Sequence, residues 1–125
     1  MTVAVLGVGG VGGMVASRTG ALCVATPRTV EAIRANGLTY VCGDVTTVSR
    51  PGAVERLEQP VSLLVVAVKA PSLAAALERV APDAVEGAVV LPLLNGLEHV
   101  AVLRSRFPGA TVVAGSIGRF EAFSP

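Results

Sequence analysis

Gly7, Gly9 and Gly12 carry the spacing G-x-G-x-x-G inside the run GVGGVGG, which spans Gly7 to Gly13. Glycine is costly in regular structure and is used where a chain turns at positive φ or where something must come close to the backbone. At this spacing the chemistry on offer is phosphate binding. One glycine permits a tight turn, the second lets the backbone approach a pyrophosphate, and the third lets a helix and a strand pack closely. The unpaired N–H groups of a helix that begins here then attract anionic oxygens. Val8, Gly10 and Val11 complete the loop that would wrap the phosphates. A glycine-rich turn without a ligand is the plain alternative, and the motif needs a strand before it and a helix after it to mean more.

Three further residues mark possible chemistry. About 20 residues beyond the glycines, a dinucleotide fold carries an Asp or Glu for a ribose 2′-hydroxyl, or an Arg beside a 2′-phosphate. Here the stretch is VATPRT, with Arg28 and no acid before Glu31, which favours NADP(H). The alternative is a solvated arginine at a helix start, although a cation there is unfavourable unless an anion offsets it. Lys69 closes SLLVVAVK, which has no other charge, and Asn95 closes VVLPLL just before Gly96. The ligand crevice of an open parallel sheet lies beyond the carboxyl ends of its strands, so both side chains would face the cofactor. Taken singly, a snorkelling lysine and an ordinary Asn-Gly turn are equally good readings; beside the glycine loop they are outweighed. His99, the single histidine, reads as a surface or packing residue next to Glu98. No Ser/His/Asp set, metal cluster or close carboxylate pair is legible, so no catalytic residue and no metal is assigned.

The elements that must position these residues alternate along the chain. TVAVLG (Thr2 to Gly7) is a short apolar run, MVASRTG carries a helix to a stop at Gly20, and ALCVAT (Ala21 to Thr26) is a second run. TVEAIRANG (Thr29 to Gly37) predicts a helix, with Thr29 as N-cap and Asn36-Gly37 as its end. LTYVCGDVTTVSR (Leu38 to Arg50) predicts two β pieces joined at Gly43-Asp44 as a hairpin. After a polar connection, SLLVVAVK predicts a buried strand and PSLAAALERVAP a helix with Pro71 in its first turn. GAVVLPLL (Gly87 to Leu94) is a further strand. LEHVAVLRSRF (Leu97 to Phe107) is a helix whose sheet-facing stripe reads Leu97, Val100, Ala101 and Leu103 to Arg104, and ATVVAGSI (Ala110 to Ile117) is the last strand. Strands that are apolar throughout and separated by helices indicate a mainly parallel sheet covered on both faces. The fold class is therefore α/β, a Rossmann-type doubly wound domain expected to fill residues 1–125.

Composition agrees. Of 125 residues, 52% are hydrophobic and 15% charged, with a mean hydropathy of +0.69, as expected of strands buried on both sides. No run reaches the ~18 apolar residues of a membrane span, and the N-terminus lacks the basic region of a signal peptide. A cytoplasmic protein with no membrane partner is expected. Net charge is +1, with 10 basic and 9 acidic residues and no basic cluster, which argues against nucleic acid. Cys23 and Cys42 lack metal or redox spacing and read as buried free thiols.

With GVGGVG, PRTVEAIRANGL, AVKAP and LLNGLE in that order, the chain resembles the N-terminal domain of the ketopantoate reductase (2-dehydropantoate 2-reductase) family over nearly all of its length. The resemblance implies that the glycine loop holds the pyrophosphate of NADPH and that Arg28 takes the 2′-phosphate. It also implies that Lys69 and Asn95 face the nicotinamide half, with Asn95 reaching the substrate. The implied reaction is hydride transfer from NADPH to the 2-keto group of ketopantoate, giving pantoate for coenzyme A synthesis. Two departures are visible: extra glycines at Gly10 and Gly13, and a segment GSIGRFEAFSP that is only loosely like the family's turn near the cofactor, where Glu121 or Ala122 would stand. Family members carry a second, helical domain that supplies the proton-donating lysine and most substrate contacts. The chain is then expected to be a truncated form, a proteolytic fragment or a natural stand-alone module, with little turnover by itself. A non-catalytic NADP(H)-binding or redox-sensing module is the alternative, and an exposed sheet edge would favour self-association.

Overall fold

The first apolar run becomes β1 (Val3–Leu6), and the glycine loop leads from it into α1 (Gly10–Thr19), β2 (Leu22–Val24) and α2 (Pro27–Asn36). The chain continues through β3 (Leu38–Cys42), β4 (Val45–Ser49), β5 (Ala53–Val54) and β6 (Leu63–Val66). A 3-10 turn (Ala70–Ser72) opens α3 (Leu73–Leu77); a second (Pro82–Val85) precedes β7 (Val89–Pro92), α4 (Glu98–Arg106) and β8 (Thr111–Val112). The structure, a computed structural model, describes residues 2–93 and 98–113.

Six strands pair in the order β5-β2-β1-β6-β7-β8, every pair parallel. Counted along the chain this is the doubly wound order 3-2-1-4-5-6, in which the direction of winding reverses between β1 and β6. Alternation along each strand splits the core in two. Ala4, Leu6, Leu64, Val66 and Val90 pack with Leu73 and Leu77 of α3, with Leu103 of α4 and with Phe107 just after it. Val5, Cys23 and Val65 pack with Ala16 of α1 and with Val30 and Ile33 of α2. Helices therefore cover both faces, which is why the strands are apolar at successive positions rather than at every second one.

Caps set the helix ends. Gly20, at φ +70, stops α1, and its N–H donates to the Ala16 carbonyl. The N-cap of α2 is Thr26 rather than Thr29. Pro27 occupies the first helical position, where its missing N–H is no loss, and the Thr26 hydroxyl accepts from the Thr29 N–H. Helix α3 is much shorter than PSLAAALERVAP suggests, because the backbone just beyond it is committed elsewhere. The Leu57 N–H donates to the Arg79 carbonyl at 2.7 Å, and the Ala81 N–H donates to the Leu57 carbonyl at 3.0 Å, a parallel bridge that draws the chain out of helical geometry. On α4 the buried stripe is Val100 and Leu103, continued by Phe107 just after the helix; Ala101 and Arg104 are exposed. The connection read as polar contains β5, which pairs with β2.

The expected hairpin is present and stands apart from the main sheet: among the described residues β3 pairs only with β4, antiparallel, from Leu38–Ser49 to Cys42–Val45. Gly43 supplies the positive φ, +59, at the first of two loop positions, where a II′ turn takes glycine.

Candidate functional site

The reversal of winding places the C-terminal ends of β1 and β6 side by side, and both ends carry marked residues. From β1 comes the glycine loop, and from β6 the segment Ala67 to Lys69; the Ala67 N–H donates to the Leu6 carbonyl at 2.9 Å, which holds the two loops in register. Gly7 lies at φ +92, and a side chain on it would run into Val68. A Cβ on Gly12 would overlap the Gly7 carbonyl oxygen and come within 3.2 Å of the Ala67 methyl. These two glycines are thus needed by the fold itself, for the turn and for seating α1 on the sheet. Gly9 differs, because a Cβ there would meet nothing within 4 Å. Its backbone borders open space, as a cradle for a ligand must.

Gly9 is also the N-cap of α1, with no side chain capping the helix and no acid in the first turn. The first intrahelical bond is the Gly13 N–H to the Gly9 carbonyl, at 2.7 Å. Helical geometry consequently leaves the N–H groups of Gly10, Val11 and Gly12 without an acceptor in the helix, and they form a ready partner for an anion.

Above the loop opens a cleft of about 600 Å³. Gly7, Val8 and Gly9 line it beneath, Thr26 and Thr29 on the β2 side, Lys69 on the β6 side, and Ala75, Ala76 and Arg79 on the facing wall built from α3 and the turn after it. Its described lining contains two cations, Lys69 and Arg79, and no Asp or Glu. Lys69 is exposed, and its carbonyl accepts from the Ser72 N–H at 2.9 Å, fixing the start of that wall. The cleft can therefore take an extended anion laid over the glycine loop with its ends toward β2 and β6.

Of the residues marked in the sequence, Gly7, Val8, Gly9 and Lys69 line the cleft, and Gly10, Val11 and Gly12 begin α1 beside it. Arg28, second residue of α2, is exposed and is not among the residues lining the cleft, although Thr26 and Thr29 on either side of it are. Asn95, Glu121 and Ala122 lie outside the described residues. Arg79 was not marked; nothing local in ALERVAP distinguishes it. Cys23 is a free, buried thiol, and burial raises its pKa; the side chain of Cys42 lies outside the described part. His99 is half-buried on α4. Among the described residues no three or more His, Cys, Asp or Glu side chains are grouped to hold a metal ion, and no helix is long and apolar enough to cross a membrane.

A family model described as ketopantoate reductase PanE/ApbA matches residues 3–124. The PanE/ApbA family ketopantoate reductase of Ralstonia eutropha JMP134 superimposes with a TM-score of 0.76 and 30% identity, over 90% of this chain and 40% of that one. The probable 2-dehydropantoate 2-reductase of Bacillus subtilis gives 0.76 at 22% identity, over 94% and 42%. The ternary structure of D-mandelate dehydrogenase with NADH and anilino(oxo)acetate gives 0.76 at 22%, over 90% and 39%. The last two likenesses show the fold alone. The chain spans about two fifths of the length of these proteins. No match was found among curated proteins. Since the family match runs from β1 past the last described strand, and the fold superimposes on that of a family reductase, the chain belongs to the ketopantoate reductase family.

Proposed function

We propose that this chain binds NADPH and presents it for hydride transfer to the 2-keto group of a small 2-keto acid, ketopantoate, to give pantoate. The observation that carries the reading is the cleft at the winding reversal: Gly9 open beneath it, cations on its walls and no acid in its described lining. D-mandelate dehydrogenase, of the same fold, was solved with NADH and anilino(oxo)acetate, which supports a nicotinamide cofactor here. NADPH is preferred to NADH because the turn after β2 reads Thr26-Pro27-Arg28, without the carboxylate that would take a ribose 2′-hydroxyl.

When bound, the nicotinamide supplies the hydride; the protein supplies binding and orientation. The free N–H groups at the start of α1 hold the pyrophosphate, and Arg28 the 2′-phosphate. Lys69 holds the nicotinamide side of the cleft. To Asn95 falls the task of keeping substrate and nicotinamide in a reactive pose. Proton delivery to the carbonyl oxygen is assigned to no residue of the cleft.

Calorimetric titration with both cofactors tests this. NADPH should bind at least tenfold more tightly than NADH, about 1.4 kcal/mol, and Arg28→Ala should weaken NADPH while leaving NADH little changed. Equal affinities would overturn the NADPH preference, and no binding of either would overturn the dinucleotide reading. In the longest natural form of the protein, ketopantoate should trigger oxidation of NADPH, and Asn95→Ala should cut that turnover at least tenfold with a smaller loss of NADPH affinity. Lys69→Ala should lower both together. A binding-only module would oxidise no NADPH under any of these conditions.

A further inference from the structure

We propose that Arg79 is a second cation for the 2′-phosphate of the cofactor, facing the Thr26-Pro27-Arg28 turn across the cleft; the proposal rests on the NADPH reading above. Position comes first. The strand order puts β5 outside β2, so Glu55, the residue after β5, marks the outer end of the side on which the adenosine half would lie. Although its segment rises from β6, Arg79 reaches that end: its Nη1 donates to the Glu55 carbonyl at 3.1 Å, and the residue lines the cleft together with Thr26 and Thr29.

Its charge is available. Arg79 is half-buried, and the partner that holds it is a neutral carbonyl. Among the described residues no carboxylate lies within ion-pair distance of it, and Nε and Nη2 make no hydrogen bond. A guanidinium held by one prong and free at the others matches a phosphate, which accepts two parallel N–H bonds in the geometry that only arginine supplies.

Placement is fixed before any ligand arrives. Arg56 Nη1 donates to the Glu78 carbonyl at 2.6 Å, the counterpart of the bond from Arg79 to Glu55, and the backbone bonds of Leu57 to Arg79 and Ala81 follow directly along the two segments. The segments after β5 and after α3 are thereby tied at three places. Arg28, by contrast, is exposed and outside the lining. The cation that the cleft itself holds at this end is Arg79.

The probes are 2′,5′-ADP and 5′-AMP, titrated calorimetrically into the full chain, with Arg79→Gln as the variant. Arg79→Gln should weaken 2′,5′-ADP about tenfold and leave 5′-AMP within about twofold, since a single phosphate separates the probes. Equal weakening of both would overturn the proposal, showing that Arg79 stacks on adenine or only braces the wall; unchanged binding of 2′,5′-ADP would overturn it as well. Should Arg79→Gln fail to fold, Arg79→Lys keeps the charge without the fork and is read by the same rule. A wild-type chain that binds 5′-AMP as tightly as 2′,5′-ADP would overturn the NADPH reading itself. A wild-type preference that survives in Arg79→Gln would overturn only the role of Arg79.

Discussion

Two glycines of one motif, three residues apart, should fail in opposite ways when each is replaced by alanine. At Gly9 the backbone is extended, with φ −89 and ψ −154, and the added methyl meets no atom of the protein. Loss of a glycine N-cap and the reduced entropy of the unfolded chain are each worth about 1 kcal/mol or less and act in opposite directions. The melting temperature of Gly9→Ala should therefore stay within a few degrees of wild type. Its methyl would nevertheless occupy the surface on which a pyrophosphate must rest, so NADPH affinity should fall by more than tenfold, about 1.4 kcal/mol. At Gly12 the methyl would overlap the Gly7 carbonyl oxygen, a backbone atom that cannot swing aside. Overpacking of this kind costs about 1–3 kcal/mol or more. At roughly 4 °C per kcal/mol for a chain of this length, Gly12→Ala should melt several degrees lower even without cofactor. The assays are thermal unfolding by circular dichroism and an NADPH titration on each variant. Full NADPH affinity in a folded Gly9→Ala protein would refute the placement of the pyrophosphate. A Gly12→Ala protein as stable as wild type would refute the packing argument.

Phe107, directly after α4 and 1% exposed, is the largest fully buried side chain among the described residues, and Phe107→Ala should cost about 3–5 kcal/mol, seen as a large fall in the urea midpoint. Thr26→Ala removes the hydroxyl that caps α2 and should cost about 1 kcal/mol, measured by thermal melting. Burial raises the Cys23 thiol above its ordinary value of 9.0. The unfolded chain therefore ionises first as the pH rises, and stability that is fully present below that value should decline above it. The same burial should make Cys23 react with a thiol reagent only at the rate of opening.

What could be read in the sequence was local. The glycine loop, its flanking strand and helix and the Gly20 and Gly37 stops are each specified within a few residues, and each is found in place. Three features escaped for different physical reasons. β5 is two residues long and embedded in a polar stretch, too short for any periodicity, and it exists because β2 offers it an edge. In VATPRT two threonines compete to cap α2, and Pro27 decides for Thr26 because it fits the first helical position. Arg79 owes its position to the bridge between Leu57 and Val80, a pairing across more than twenty residues that leaves no trace in the pattern on either side. For Asn95 and the segment after Val113 only the sequence speaks.

The hairpin formed by β3 and β4 borrows no hydrogen-bonded edge from the main sheet, and its Val41, Val45 and Val48 are 58%, 63% and 58% exposed. It meets the rest of the molecule along α1, where Leu38 packs against the core that holds Ala16 and Ile33 and where the Ser49 hydroxyl donates to that of Ser17 at 3.4 Å. A lone pair of strands is marginal in water, so the exposed end of this unit, away from Leu38, should open before the six strands of the main sheet. In native-state deuterium exchange its amides should fall in a fast class, governed by a local opening equilibrium, while those of β1 and β6 should wait for global unfolding. The Gly43-Asp44 tip is correspondingly the place where the chain can be lengthened, or nicked by a protease, with the cleft left intact.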